Sequence, residues 1–228
     1  MGDLAYDVWH SGHAADDDIA TPWHDFAKAN IALRELEGSR VLEIGCGRGG
    51  FTNYLAQQSA APKKIFGCDY SESALEIARK RYPSEIITWQ KEDIMSLSFE
   101  SQYFDVIVSC ETIEHVPRSA KAISELYRVL KPGGILLLTC PNYFNLFGIW
   151  CLYRWAIGKP FTEGGQPYVN YLLTPRVNGW LKKAGFKIEK FKSVDLAIPL
   201  RRPRHYYADE MPRWLRIFGH RTYYRVRK

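Results

Sequence analysis

The stretch Val41-Leu42-Glu43-Ile44-Gly45-Cys46-Gly47-Arg48-Gly49-Gly50 constrains the fold of this chain more than any other. An apolar run of strand character turns through closely spaced glycines into a helical pattern. Such turns are built where backbone must approach a ligand closely or adopt positive φ, which a side chain would forbid. The G-x-G-x-G spacing alone is also met in dinucleotide folds and in plain tight turns, so its neighbours decide what it is for.

Around it, short β-branched runs alternate with longer helical patterns, the signature of βαβ units and a mainly parallel sheet covered on both faces. Strands are predicted at Arg40–Gly45, Lys64–Asp69, Ile86–Lys91, Phe104–Cys110 and Ile135–Cys140. Helices are predicted at Gly50–Gln58, Glu72–Arg81 with Ser71 as N-cap, and Ser119–Leu130. Downstream follow a helix at Thr174–Ala184 capped by Gly185, a strand from Phe186 to Val194 and a closing strand at Arg221–Arg227. Neither linker nor repeat interrupts this order, so residues 1–228 read as a single domain. Residues 1–37 form a helical cap or lid, 38–142 the binding core, and 143–228 a connection, the last strands and a basic insertion.

Two acidic sites follow the glycine loop. Asp69 ends the second strand 24 residues after Gly45, where a carboxylate can accept from both hydroxyls of a ribose. Glu92-Asp93 ends the third, where it can accept from an adenine amino group. Glu43, two residues before the first glycine, suits a ligand with positive charge or amine donors better than a phosphate. Together these describe an adenosine pocket without a phosphate site.

The full set of ordered motifs resembles the class I S-adenosylmethionine-dependent methyltransferases. It comprises E-x-G-x-G-x-G from Glu43, the acid after the second strand, Glu92-Asp93-Ile94, Phe104-Asp105-Val106-Ile107 leading to Glu114-His115-Val116, and Leu130-Lys131-Pro132-Gly133-Gly134. The likeness is to the small-molecule branch that includes ubiquinone O-methyltransferases and sugar or antibiotic methyltransferases. It implies an α/β fold, a Rossmann-like three-layer sandwich whose seven-stranded, mostly parallel sheet has an antiparallel last strand. It implies S-adenosylmethionine as cofactor and S-adenosylhomocysteine as product, with no metal. Gly45, Cys46 and Gly47 would cradle the methionine end, Asp69 with Tyr70 would hold the ribose, and Asp93 with Ile94 would meet the adenine. Cys110 would offer its backbone carbonyl to the methionine amine.

His115 is the candidate general base for an oxygen or nitrogen acceptor, with Glu111 and Glu114 as alternatives and a structural role equally open. The N-terminal segment carries Tyr6, Trp9, His10, His13, Trp23 and His24, from which Tyr6 and His24 are lid and acceptor candidates. Trp23, Phe26 and Ile31 equally suit a helix packed on the sheet, and Asp16-Asp17-Asp18 a solvated turn. Between the fifth and sixth strands, Tyr143, Glu163 and Gln166 are acceptor candidates. The aromatics Phe147, Trp150, Tyr153 and Trp155 fit a packed core best, with a pocket wall or a membrane-facing helix as alternatives.

Charge divides the chain. Its net +6 hides 14 basic against 20 acidic residues over 1–142 and 17 against 5 over 143–228. The basic remainder, including Arg201-Arg202-Pro203-Arg204, suits an anionic or lipid-like small-molecule acceptor or a peripheral membrane contact. Nucleic-acid binding lacks a recognisable module, and a nucleic-acid methyltransferase or a non-catalytic assembly protein are the remaining alternatives. No charge falls between Lys131 and Arg154, yet Pro132-Gly133-Gly134 and Pro141-Asn142 break the run, so a buried strand then a helix is expected rather than a membrane span. Five cysteines without paired spacing fit a reducing, cytoplasmic setting.

Overall fold

The computed structural model describes residues 4–12, 19–162, 165–194 and 215–228. Predicted features at His13, Asp16-Asp17-Asp18, Glu163 and the Arg201–Arg213 basic run lie outside them, as does the side chain of His10.

Seven strands form one sheet: β1 (Arg40–Ile44), β2 (Lys64–Asp69), β3 (Ile87–Lys91), β4 (Phe104–Cys110), β5 (Leu130–Pro141), β6 (Lys187–Val194) and β7 (Arg221–Arg227), in the order β3-β2-β1-β4-β5-β7-β6. Strands β1 to β5 pair in parallel, and β7 runs antiparallel between β5 and β6. The helices are α1 (Leu4–Gly12), α2 (Pro22–Asn30), α3 (Leu33–Leu36), α4 (Gly50–Ala56), α5 (Glu72–Arg81), α6 (Ser119–Val129), α7 (Leu146–Ala156) and α8 (Thr174–Ala184). The strand order reverses at β1 and β4, so the crevice at their C-terminal ends is the binding place that this topology creates.

Two apolar layers sandwich the sheet because its central strands bury residues on both sides. On one face Leu42, Ile44, Ile107, Leu136 and Leu138 pack with Ile123 and Leu126 of α6 and Leu181 of α8. On the other, Val41, Val106, Val108 and Leu137 pack with Phe51 and Leu55 of α4 and with Phe26 of α2, while Trp23 and Ile31 close over the edge. The N-terminal aromatics of α2 are therefore packed on the sheet, as one of the two sequence readings has it.

Two expectations need correction. The fifth strand starts five residues early, at Leu130, because Lys131-Pro132-Gly133-Gly134 bulges out of the ladder instead of ending it. Leu130 pairs with Phe104, and pairing resumes at Ile135 with Val106. The aromatic helix α7 is not core: Gly148 and Cys151 are its buried residues, whereas Trp150, Leu152, Tyr153 and Trp155 are exposed. The helix is set down on Gly148, Cys151 and the half-buried Phe147, which meets Tyr143, Phe161 and His220, and its other large side chains face away.

Candidate active site

At the C-terminal ends of β1, β2 and β4 lies a cavity of about 520 Å³, within the range that small-molecule sites occupy. Strand β1 delivers the glycine turn, whose shape is fixed from three sides. The N–H groups of Gly45 and Cys46 both donate to the carbonyl of Cys68 on the neighbouring strand. Gly47 donates to Asp69 Oδ2 at 2.8 Å. Gly45 has φ +80°, and a Cβ there would collide with the side chain of Thr112. Gly47 has φ +52° and nothing within 4 Å of where its Cβ would stand, so its α-carbon faces open cavity.

The acids take different parts. Asp69 lines the cavity, and each of its oxygens already accepts one backbone N–H, from Gly47 and from Ser71 at 2.9 Å. A carboxylate oxygen can accept twice, so one site on each remains for a pair of hydroxyls. Asp93 lines the cavity too, with Oδ1 accepting from the Met95 N–H at 2.7 Å, and Ile94 and Met95 add an apolar wall. Glu92 is buried among Gln90 and Ser98, and its Oε2 accepts the Ser98 N–H at 2.9 Å. Glu43 lies beneath the loop, outside the lining, bonded to Thr52 of α4. Burial pushes its carboxyl up to about 8, helped by the charge of Asp69 and opposed by the Thr52 bond. It is thus a neutral pin between β1 and α4 at neutral pH, where the sequence suggested an anion facing a cation.

The fourth strand ends in an abrupt turn. Glu111 takes φ +50°, the left-handed region, with its carboxylate held by Thr139 Oγ1 at 2.9 Å and by Arg221 at 2.6 Å. The Thr112 hydroxyl donates to the carbonyl of Cys110 at 2.9 Å, so this carbonyl is engaged within the chain. Cys46 and Cys110 lie outside the lining, and burial pushes both thiols well up. The next turn, Ile113–His115, brings His115 to the wall. Its Nδ1 is 2.9 Å from the carbonyl of Tyr168, and its Nε2 is 3.6 Å from Oε1 of Glu114. A carbonyl only accepts, so Nδ1 carries a proton and donates it to Tyr168.

Helix α1 and the segment before α8 close the rest. Tyr6 donates to the carbonyl of His115 at 3.0 Å and meets Tyr70 edge-on; burial pushes its phenol up to about 12. Asp7 accepts from the Ser71 hydroxyl at 2.7 Å, latching α1 to the start of α5. Tyr6, Trp9, Tyr70, Gln166 and Tyr168 all line the cavity. His24 does not: it stacks on Phe51 and shares a bond with Thr21. Tyr143 does not either, being buried against Tyr171 and Phe147. Sequence reasoning missed Thr112, Met95, Val116 and Pro117; only the last two carried a signal, as the residues following His115.

No cluster of His, Cys, Asp or Glu able to hold a metal occurs among the described residues. The pocket does fit an adenosyl sulfonium: open backbone at Gly47, spare acceptors on Asp69, and a polar turn at Asp93 beside the apolar Ile94.

Residues 42–138 match the methyltransferase domain family. The ubiquinone biosynthesis O-methyltransferase of Coxiella burnetii is 26% identical over 227 residues, covering 96% of this chain and 93% of that one. Phthiotriol/phenolphthiotriol dimycocerosates methyltransferase 1 of Mycobacterium ulcerans is 34% identical over 136 residues, 60% of this chain, and the match spans about half (49%) of its own length. In structure, an S-adenosylmethionine-dependent methyltransferase from Mesorhizobium loti superposes with a TM-score of 0.66 at 18% identity, over 92% of this chain and 99% of that one, a likeness of fold. The matched domain, the strand order and the cavity at the strand ends converge: residues 42–138 form a methyltransferase domain of the S-adenosylmethionine-dependent kind.

Proposed function

We propose that the chain methylates an oxygen or nitrogen of a small, largely apolar molecule held beside His115. The observation that carries this reading is that a single cavity is lined both by Gly45, Gly47, Asp69 and Asp93 and by His115, Val116, Pro117, Gln166 and Tyr168. Donor and acceptor therefore share one enclosure. The acceptor end offers the His115 imidazole, the Gln166 amide and the Tyr168 phenol between the apolar walls of Val116 and Pro117, which suits an aryl or lipid-like molecule with a reactive hydroxyl. The names of the two sequence relatives, one for ubiquinone biosynthesis and one for phthiotriol and phenolphthiotriol dimycocerosates, support the same class.

In this reading Gly45, Gly47, Asp69, Tyr70 and Asp93 hold S-adenosylmethionine, whose contribution is an electrophilic methyl on a sulfonium. The chain supplies alignment, since displacement at carbon needs nucleophile and leaving group in line, and fixing them can account for most of the acceleration. His115 Nε2 takes the proton from the acceptor hydroxyl as its oxygen attacks. The imidazolium that results is stabilised by Glu114, 3.6 Å away, while the Tyr168 carbonyl keeps the ring oriented. Tyr6, tied to the His115 carbonyl, and Trp9 close the cavity and exclude water.

The test is release of S-adenosylhomocysteine, with the methylated product identified by mass, across hydroxyaryl, prenylated hydroxyaryl, fatty-acid and amine acceptors. Turnover is expected with the hydroxyaryl compounds. Cofactor binding by calorimetry with no turnover of any acceptor would refute the proposal.

A further inference from the structure

Helix α7 has its apolar surface on the outside. It rests on the fold through Gly148 and Cys151, while Leu146, Ile149, Trp150, Leu152, Tyr153 and Trp155 are exposed, Ile149 at 63% and Trp155 at 67%. Phe144 before it and Ile157 after it extend the patch. At 3.6 residues per turn Leu146, Ile149, Trp150 and Tyr153 form a stripe of about 100°, and Leu152 and Trp155 carry the apolar surface on past the buried Gly148 to about 220° in all, wider than the stripe that a surface helix uses to meet its own core. A flat protein partner covers one face of a helix, whereas fluid hydrocarbon covers whatever arc is offered.

The surrounding charge chooses the partner. No Asp or Glu occurs from Leu126 to Thr162, whereas Arg154 and Lys159 stand at the C-terminal end of α7. Arg154 lies over the Trp150 ring at 5.4 Å and donates to the Lys159 carbonyl at 2.9 Å, and Lys159 is exposed. Exposed aromatics and aliphatics with Arg154 and Lys159 at their end, and no carboxylate in the described residues 126–162, match the boundary of an anionic bilayer, apolar groups sunk and cations among phosphates. The helix has 11 residues, about 16 Å at 1.5 Å per residue, half of what a bilayer core requires. It can lie in the interface but cannot span.

We infer that α7 docks the chain on the surface of an anionic phospholipid bilayer, lying in the headgroup plane. The packed side of α7 is linked to the wall of the cavity: Tyr143, just ahead of α7, packs on Tyr171, whose hydroxyl bonds the backbone of Phe161, and Tyr168 of the same segment lines the cavity. Docking stands independently of the acceptor proposed above.

Flotation of the full chain with phosphatidylcholine vesicles, with and without phosphatidylglycerol, tests it. Partition is expected to be strong with the anionic lipid and to fall about tenfold or more in the double variant Leu152→Glu/Trp155→Glu, whose unchanged melting temperature and S-adenosylhomocysteine affinity report an intact fold. Lys159→Glu should weaken binding about fivefold, on anionic vesicles alone. Failure of the unaltered chain to float on either vesicle at low salt overturns the inference, as does undiminished flotation of the double variant. A dimer in ultracentrifugation that the double variant dissolves, without flotation, overturns it in favour of a second copy.

Discussion

Asp69 Oδ2 accepts the backbone N–H of Gly47 at 2.8 Å while its Oδ1 accepts that of Ser71 at 2.9 Å. One carboxylate therefore shapes the glycine turn and the start of α5 together and still presents lone pairs to the cavity. Asp69→Ala should weaken cofactor affinity by roughly 1.5–3 kcal/mol, since both a ligand contact and the loop geometry are lost. Asp69→Asn, which keeps one acceptor oxygen, should lie between. Calorimetry with S-adenosylhomocysteine measures this, and equal affinity for all three proteins would dismiss the role.

Two glycines of one turn should fail in different ways. At Gly45 an added methyl meets Thr112, itself bonded to the Cys110 carbonyl, so Gly45→Ala should cost about 2–4 kcal/mol of folding stability. At Gly47 nothing obstructs the methyl except a ligand. Gly47→Ala should cost only about 1–2 kcal/mol in stability, from its positive φ, and lose proportionally more cofactor affinity. Urea denaturation beside calorimetry separates the two, and the same pattern in both variants would contradict the geometry.

Glu43 makes stability depend on pH in the neutral range. Folding raises its carboxyl from 4.5 to about 8, so the folded chain keeps a proton that the unfolded chain has released. The stabilisation is complete below about 4.5 and is lost as pH rises through about 8. Glu35, Glu125 and Glu189 are held low by Arg225, Arg128 and Arg227, and so titrate below this window. The melting temperature of the ligand-free chain should fall between about pH 5 and 8, and Glu43→Gln should flatten that decline. An unchanged slope in the variant would assign the dependence elsewhere.

His115→Gln should lower kcat about 10²- to 10⁴-fold while leaving cofactor affinity within a few-fold. It should also remove the loss of rate at low pH that a protonated imidazole causes. A parallel drop in affinity, or a preserved acid limb, would reduce His115 to a support for the Tyr168 segment.

The sheet and its helices were legible because their signals are local. Ser71 caps α5, Gly185 ends α8, and the closing strand lies at Arg221–Arg227 as expected. The cavity was legible where a motif carries it, at Gly45, Gly47, Asp69, Asp93 and His115. What could not be read depends on which residues meet across the fold. Thr112 owes its place under Gly45 to the left-handed turn at Glu111, and that turn depends on Thr139 and on Arg221, 110 residues away. The latch from Asp7 to Ser71 joins residues 64 apart. Glu43 keeps its proton at neutral pH because it is buried beneath the loop against Thr52 of α4, and no spacing announces that. On α7 the apolar count is plain in the sequence, but the side it turns to the protein is set by Gly148 and Cys151.

Strand β7 is the last of the seven to leave the ribosome, and it sits between β5 and β6. Until Arg221–Arg227 has emerged, β5 and β6 have no partner on their facing edges, and Leu136, Leu138 and Phe191 await the side chains of Tyr224 and Val226. The nascent chain therefore carries an open strand edge on β5 once that strand has emerged, and a second on β6 until β7 follows, the form most exposed to wrong pairing with other chains. Closure of this sheet is a late, long-range event, and production of the protein depends on what shields those edges in the interval.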